Sequence, residues 1–284
     1  MSRYLCTFSG KFGDILWSLP TARFIAEKIA GEKVDFAVMP YYESLCPLLE
    51  AQEYIDKAFV IPDWIRTHSN HGDGPAEPPS RGENIHILAE VGCSGMMIGH
   101  ERVWNLAYKG HPGITAPSMA LIDFTAWQQG ITLQNPVPFL RSGLDRERII
   151  EKKFLVAYAF NEQYSEPKKQ FKDELLRKLP EVRLVNSEEW PWREAAVEID
   201  LADVFIGCRS ANWVIAMGLG KETITFEPHP SRHANCHLGK VFGCPYGKEM
   251  ALPFGMPPQV AAEVAASMVK KKMEEQCKKI STTA

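Results

Sequence analysis

Along the first sixty positions, short and mostly apolar runs alternate with apolar residues at helical spacing. Residues 4–8 form a run of strand length. Over residues 15–30 the apolar positions Leu16, Leu19, Phe24, Ile25 and Ile29 trace one face of a helix that stops at Gly31. Residues 34–39 predict a second strand, 42–51 a second helix and 58–61 a third strand. This order predicts a parallel sheet covered by helices on both faces. Residues 67–83 contain no aliphatic side chain larger than alanine and predict a surface loop. A strand is expected at 85–88. The glycine-rich stretch 92–99 would follow at its carboxyl end, where open α/β sheets hold ligands. A helix over 118–130 closes this half.

Residues 136–145, rich in proline and mixed in character, read as a linker. A second series follows, with strands at 154–159, 182–186, 204–206 and 223–226 and helices at 168–179 and 192–199. Between the last two strands, Gly207 to Gly220 reads as a glycine turn, a helix capped by Ser210 and a glycine stop. The tail, 257–279, is amphipathic, with Val260, Val264, Met268 and Met273 on its apolar side. The fold expected is α/β with two Rossmann-like domains, 1–140 and 150–256, and a final helix at 257–284 packing back toward the first. The tail's lysines at 270–272 and 278–279 suit a solvated helix end, with nucleic-acid binding as the alternative.

The chain has 284 residues, enough for two domains, with 45% hydrophobic and 24% charged residues. Its formal net charge of −3 provides no general attraction to nucleic acid or anionic lipid. No apolar run reaches the roughly 18–20 residues of a membrane span, and the N-terminus lacks the apolar segment of a signal peptide. Seven cysteines without a Cys-x-x-Cys pair fit a reduced, cytoplasmic setting. His229, His233, Cys236, His237 and Cys244 match no standard zinc spacing and read as a polar loop rather than a metal site.

Two stretches carry chemistry. The helix start after residues 204–206 presents free N–H groups and a positive dipole end, which suit a phosphate, and Arg209 adds a charged donor. The same stretch also reads as an ordinary βαβ crossover. In the other half, Asp14 follows Ser9-Gly-Lys-Phe-Gly13 at the carboxyl end of the first strand. It is either a proton acceptor at a cleft mouth or a helix cap. Ser9-Gly-Lys11 lacks the P-loop spacing, which discounts ATP hydrolysis. No Asp-x-Asp triplet is present to hold a diphosphate through a metal.

The stretch Gly13-Asp-Ile-Leu-Trp-Ser-Leu-Pro-Thr-Ala-Arg-Phe-Ile25 resembles the opening of the lipopolysaccharide heptosyltransferase family, glycosyltransferase family 9. Val34-Asp-Phe-Ala-Val-Met-Pro40 and Met119-Ala-Leu-Ile-Asp-Phe-Thr-Ala-Trp-Gln-Gln-Gly-Ile131 are similar to later parts of the family's first domain. Ala202-Asp-Val-Phe-Ile-Gly207 through Ala216-Met-Gly-Leu-Gly-Lys221 resembles its donor motif. The resemblance implies a GT-B fold, with an acceptor-binding N-terminal domain and a nucleotide-sugar-binding C-terminal domain. It also implies metal-independent inverting transfer with Asp14 as general base, and no cofactor beyond the nucleotide-diphosphate sugar as co-substrate. Three departures stand out. Val214 occupies the position of the family's motif histidine, Lys168-Lys169-Gln-Phe171 replaces a lysine-tryptophan donor segment, and the chain is short.

Candidate donor-site residues are Gly207, Arg209, Ser210, Lys168 and Lys169 at the diphosphate, with Glu188 or Glu189 at a ribose. Each also fits a structural role: the lysines and glutamates as surface charge, and Trp190 and Trp213, which would suit a base, as core. Candidate acceptor-site residues are Lys11, His100, Arg102, Lys109 and His111. The leading reading is a glycosyltransferase with a hydroxyl-bearing acceptor. The alternatives are a nucleotide or sugar-nucleotide binder without turnover, and a transferase acting on modified nucleic-acid bases. The charge balance disfavours the last.

Overall fold

The computed structural model describes residues 4–8, 11–60, 100–106, 119–134, 136–144, 154–160, 165–228 and 248–283, with side chains as far as 278. Among them, two separate parallel sheets replace any single continuous one. The first has strands β1 (Tyr4–Phe8), β2 (Val34–Val38), β3 (Ile55–Val60) and β4 (Arg102–Asn105) in the order β3-β2-β1-β4. The second has β5 (Leu155–Ala159), β6 (Arg183–Asn186), β7 (Val204–Gly207), β8 (Glu222–Thr225) and β9 (Lys248–Ala251) in the order β6-β5-β7-β8-β9. Each order reverses direction next to its first strand, at β1/β4 and at β5/β7. Such switch points open a crevice at the carboxyl ends of the strands.

Helix α1 (Phe12–Phe24) continues as a π-helical stretch, Ile25–Ala30, and ends at Gly31 in the left-handed conformation (φ 68°). It starts three residues earlier than the pattern suggested, so Gly13 and Asp14 belong to its first turn. The second predicted helix is a 3-10 segment, Pro40–Leu45, followed by the short α2 (Cys46–Glu50), each with a proline at its start. Helix α3 (Leu121–Trp127) packs on α1. In the second unit, α4 (Glu166–Lys178) follows β5. Beyond β6 come a 3-10 turn, Ser187–Glu189, and α5 (Trp192–Leu201). Helix α6 (Ala211–Gly218) follows β7, and α7 (Pro258–Thr283) ends the chain.

The expectation for α7 is corrected. Its buried face, Ala261, Ala262, Ala265, Ala266 and Val269, joins Phe171, Leu175 and Phe226 in the second unit's own apolar cluster, so it packs on α4 rather than back toward the first sheet. Small alanines let the α4 backbone approach, and the helix's lysines then meet local carboxylates. Lys270 pairs with Glu181 at 3.4 Å, and Lys272 with Glu222.

The linker is packed rather than free. Phe139 and Leu140 donate their N–H groups to the Gly218 carbonyl at 2.9 and 3.0 Å, where a Cβ on Gly218 would fall within 2.9 Å of both side chains. Gln52 exchanges hydrogen bonds with the Arg141 backbone, and Ser142 donates to Asp200 at 2.7 Å. A single buried cluster therefore runs from β1 and α1 through the linker into α5 and α6.

Candidate active site

The position that caps α1 is Lys11, not Asp14; Asp14 stands in the helix's first turn, 4% exposed. Tyr42 is buried near it, and its hydroxyl has no hydrogen-bond partner among the described residues. Burial first, then the charge of Asp14, push the Tyr42 phenol above its ordinary range and keep it neutral. Phe12 meets Tyr42 edge-on at 4.8 Å and Trp192 of the second unit at 4.7 Å, while Trp192 Nε1 donates to Ser44 Oγ at 3.2 Å. An aromatic wall thus joins the two units beside Asp14.

Facing it is the start of α6, whose cap position is Ser210. A Cβ built on Gly13 would lie 3.6 Å from Val214 Cγ2 and 3.9 Å from Ala211 Cα. The first turn of α1, after β1, therefore rests on the first turn of α6, after β7. The position of the family's motif histidine carries Val214, an apolar side chain only 3% exposed. Trp213 is buried edge-on against Trp17 at 5.6 Å, a core role rather than a stacking one, whereas Trp190 is exposed. Ser210 Oγ and Asn212 Oδ1 are buried without partners among the described residues. Gly207 is required by the sheet itself, because a Cβ there would stand 2.1 Å from the Ala159 carbonyl oxygen.

Arg209, Lys168 and Glu188 are held by partners within their own unit. Arg209 Nε and Nη2 donate to the two Glu249 oxygens at 2.9 and 3.2 Å, and the Arg209 backbone N–H donates to Glu227 at 2.8 Å. Lys168 Nζ lies 3.1 Å from Glu227. Burial opposes its charge, but the neighbouring Cys208 and Glu227 outweigh that and raise its pKa. Glu188 accepts the Phe160 N–H at 3.0 Å, and Lys169 is exposed. Sequence reasoning missed Glu227 and Glu249. Glu227 sits in Phe226-Glu-Pro228, a loop motif without chemical signature, and Glu249 lies on β9, whose sequence showed no strand pattern.

The acceptor candidates divide. Lys11 is exposed at the start of α1, on the cleft side. His100 is buried with Nε2 3.0 Å from Asp35 Oδ2, and Arg102 lies over Trp104 with its guanidinium carbon 3.8 Å from the ring centroid. Tyr4 pairs with Arg102 and Leu5 with Asp35, so both residues sit at the amino ends of the strands, opposite the Asp14 face. The expectation for them is corrected. They precede or begin β4, a strand the pattern did not reveal; the expected loop at 67–83, strand at 85–88 and glycine-rich stretch at 92–99 lie outside the described residues. Lys109, His111 and the cluster from His229 to Cys244 lie outside the described residues. Among the described residues, no group of three His, Cys, Asp or Glu side chains converges for a metal, and no helix is long and apolar enough to cross a membrane.

No protein-family model matches the chain, and no curated protein matches it by sequence. Solved structures do. A glycosyltransferase family 9 protein from Veillonella parvula is similar with a TM-score of 0.56 at 12% identity, over 93% of this chain and 88% of that one. The E. coli heptosyltransferase WaaC with ADP-2-deoxy-2-fluoro heptose is similar with a TM-score of 0.54 at 12% identity, over 95% and 99%. E. coli ADP-heptose heptosyltransferase II follows at 0.53 and 11%, over 96% and 99%. Two parallel sheets, with the helices after β1 and β7 meeting at their starts, give this chain the GT-B fold of those glycosyltransferases.

Proposed function

We propose that the chain is a glycosyltransferase that moves a sugar from a nucleotide diphosphate to an acceptor hydroxyl, without a metal and with inversion. The supporting observation is the meeting of the two helix starts: Gly13, the neighbour of Asp14, stands against Ala211 and Val214 in the first turn of α6, which follows the turn at Gly207 to Ser210. In this reading Asp14 takes the acceptor's proton as its oxygen attacks the anomeric carbon. The diphosphate leaves toward the α6 turn, whose N–H groups and dipole favour the growing negative charge. Lys11 is the described residue that suits a polar acceptor at the mouth.

Calorimetry in EDTA with UDP, ADP, GDP and CDP sugars tests the donor. An ADP-heptose is the first choice, being named in the similar structures. At least one should bind, and binding that appears only with magnesium or manganese contradicts the metal-free reading. Asp14→Asn should slow transfer by about 10²–10⁴ and leave donor affinity unchanged, because the donor rests on the other unit. Near-normal turnover would remove Asp14 from the chemistry.

A second reading, a binder without turnover, is favoured by Val214 and by the internal pairing of Arg209 and Lys168. Nucleotide-sugar binding with no release of nucleoside diphosphate in the presence of acceptor extracts would select it.

A further inference from the structure

The groups expected to meet a diphosphate already hold an anion that belongs to the chain. Glu227 uses one carboxylate oxygen to accept the Arg209 N–H at 2.8 Å and the other to face Lys168 Nζ at 3.1 Å. Arg209 is the residue just before the cap of α6. A carboxylate that takes this amide together with an ammonium makes the contacts a phosphate oxygen would make in the same place. Glu249 holds the Arg209 guanidinium in two-point fashion and also accepts the Thr225 hydroxyl at 2.8 Å, which fixes it away from a ligand. The side chains of Lys168, Glu227, Arg209 and Glu249 are 12–18% exposed, so water screens these pairs little. In the same turn Ser210 Oγ and Asn212 Oδ1 have no partners among the described residues, and Asn212 is 6% exposed. The charges of the turn are paired while these two neutral oxygens are not.

We propose that Glu227 is a built-in anion at the phosphate position of the cleft, and that it determines how well the site accepts a diphosphate. The inference rests on reading the cleft as a donor site. With Glu227 in place, the Arg209 amide is already hydrogen-bonded and the Lys168 charge already paired, and an incoming diphosphate has to displace a carboxylate of the same sign. Removing that charge while keeping the side chain's size frees one amide donor and one ammonium for the ligand.

The probe is inorganic pyrophosphate, titrated calorimetrically in EDTA into the wild-type chain, Glu227→Gln, and Glu227→Gln with Lys168→Gln. Glu227→Gln should bind pyrophosphate at least about tenfold more tightly than wild type, as removal of a like charge within a few ångströms requires. The double variant should lose that gain. Equal or weaker binding by Glu227→Gln overturns the proposal, as does absence of binding in all three proteins. Circular dichroism and melting verify folding, and Glu227→Ala replaces the glutamine variant if that one does not fold. The nucleotide-sugar panel is run on the same proteins. A pyrophosphate gain without nucleotide-sugar binding in either protein counts against the donor reading alone. Nucleotide-sugar binding without a pyrophosphate gain counts against Glu227 alone.

Discussion

Two glycines near the cleft look alike in sequence and differ in what surrounds them. At Gly207 a Cβ would stand 2.1 Å from a backbone carbonyl oxygen in the neighbouring strand, so neither side can yield without breaking the β5–β7 ladder. Gly207→Ala should cost upwards of about 3 kcal/mol, read from urea unfolding followed by circular dichroism. At Gly13 the nearest atoms lie at ordinary contact distance, and the position is helical. Gly13→Ala should leave stability unchanged or raise it by up to about 1 kcal/mol, since alanine is the better helix former. A loss comparable to that at Gly207 would mean that the helix starts are closer than they stand here. The same attention to surroundings separates the cysteines. Burial pushes the Cys208 thiol up to about 11, while Cys277 is exposed. At pH 8 iodoacetamide should therefore label Cys277 in the folded protein and reach Cys208 only after unfolding.

At the level of elements, what the chain's pattern revealed and what it hid have one cause. Strands of mostly apolar sequence, such as β2 (VDFAV) and β5 (LVAYA), were legible because both faces of a central parallel strand are buried. Strands β4 (RVWN) and β9 (KEMA), at the ends of their sheets among the described residues, were not, because ladder hydrogen bonds hold them and their side chains are mixed. Because β4 was missed, the sequence did not show that His100 and Arg102 stand at the amino ends of the strands, and missing β9 hid Glu249, the partner of Arg209. The place of Asp14, just after β1, was legible because that strand has a clear pattern. Helix α7 showed an apolar face, but a face does not name its partner, and the alanines that let α4 approach carry no signal of their own. They give a test. Ala265→Leu should overpack the α4–α7 contact and cost about 1–3 kcal/mol. Lys270→Ala, which breaks an exposed pair with Glu181, should change stability by less than about 1 kcal/mol. If the two variants shift the urea midpoint equally, the helix is held by its charges and not by its alanines.

At the scale of the whole molecule, the buried clusters of the described residues do not divide as the two sheets do. Buried residues of β1, β2 and α1 join those of α5 and α6 in one cluster, with Trp17 against Trp213 and the linker side chains Phe139 and Leu140 pressed on Gly218. The second unit's other face, around Phe171, Phe226 and the alanines of α7, forms a separate cluster. Domains joined by a small polar contact unfold one at a time, whereas a shared apolar core makes each half the support of the other. Calorimetry of the wild-type chain should therefore show one transition, with the calorimetric and van't Hoff enthalpies in agreement. Trp213→Ala removes the largest side chain of α6 from that shared core and should cost about 3–5 kcal/mol. Its effect should go beyond a lower midpoint. With the tie between α1 and α6 cut, the first sheet loses its neighbour while the α4–α7 layer keeps its own, so the single transition should separate into two. Phe171→Ala provides the contrast. It lies in the layer that only the second unit uses, and it should lower the midpoint without separating the transition in the same way. Two transitions already present in the wild-type chain would show that the cluster across α1 and α6 does not couple the halves.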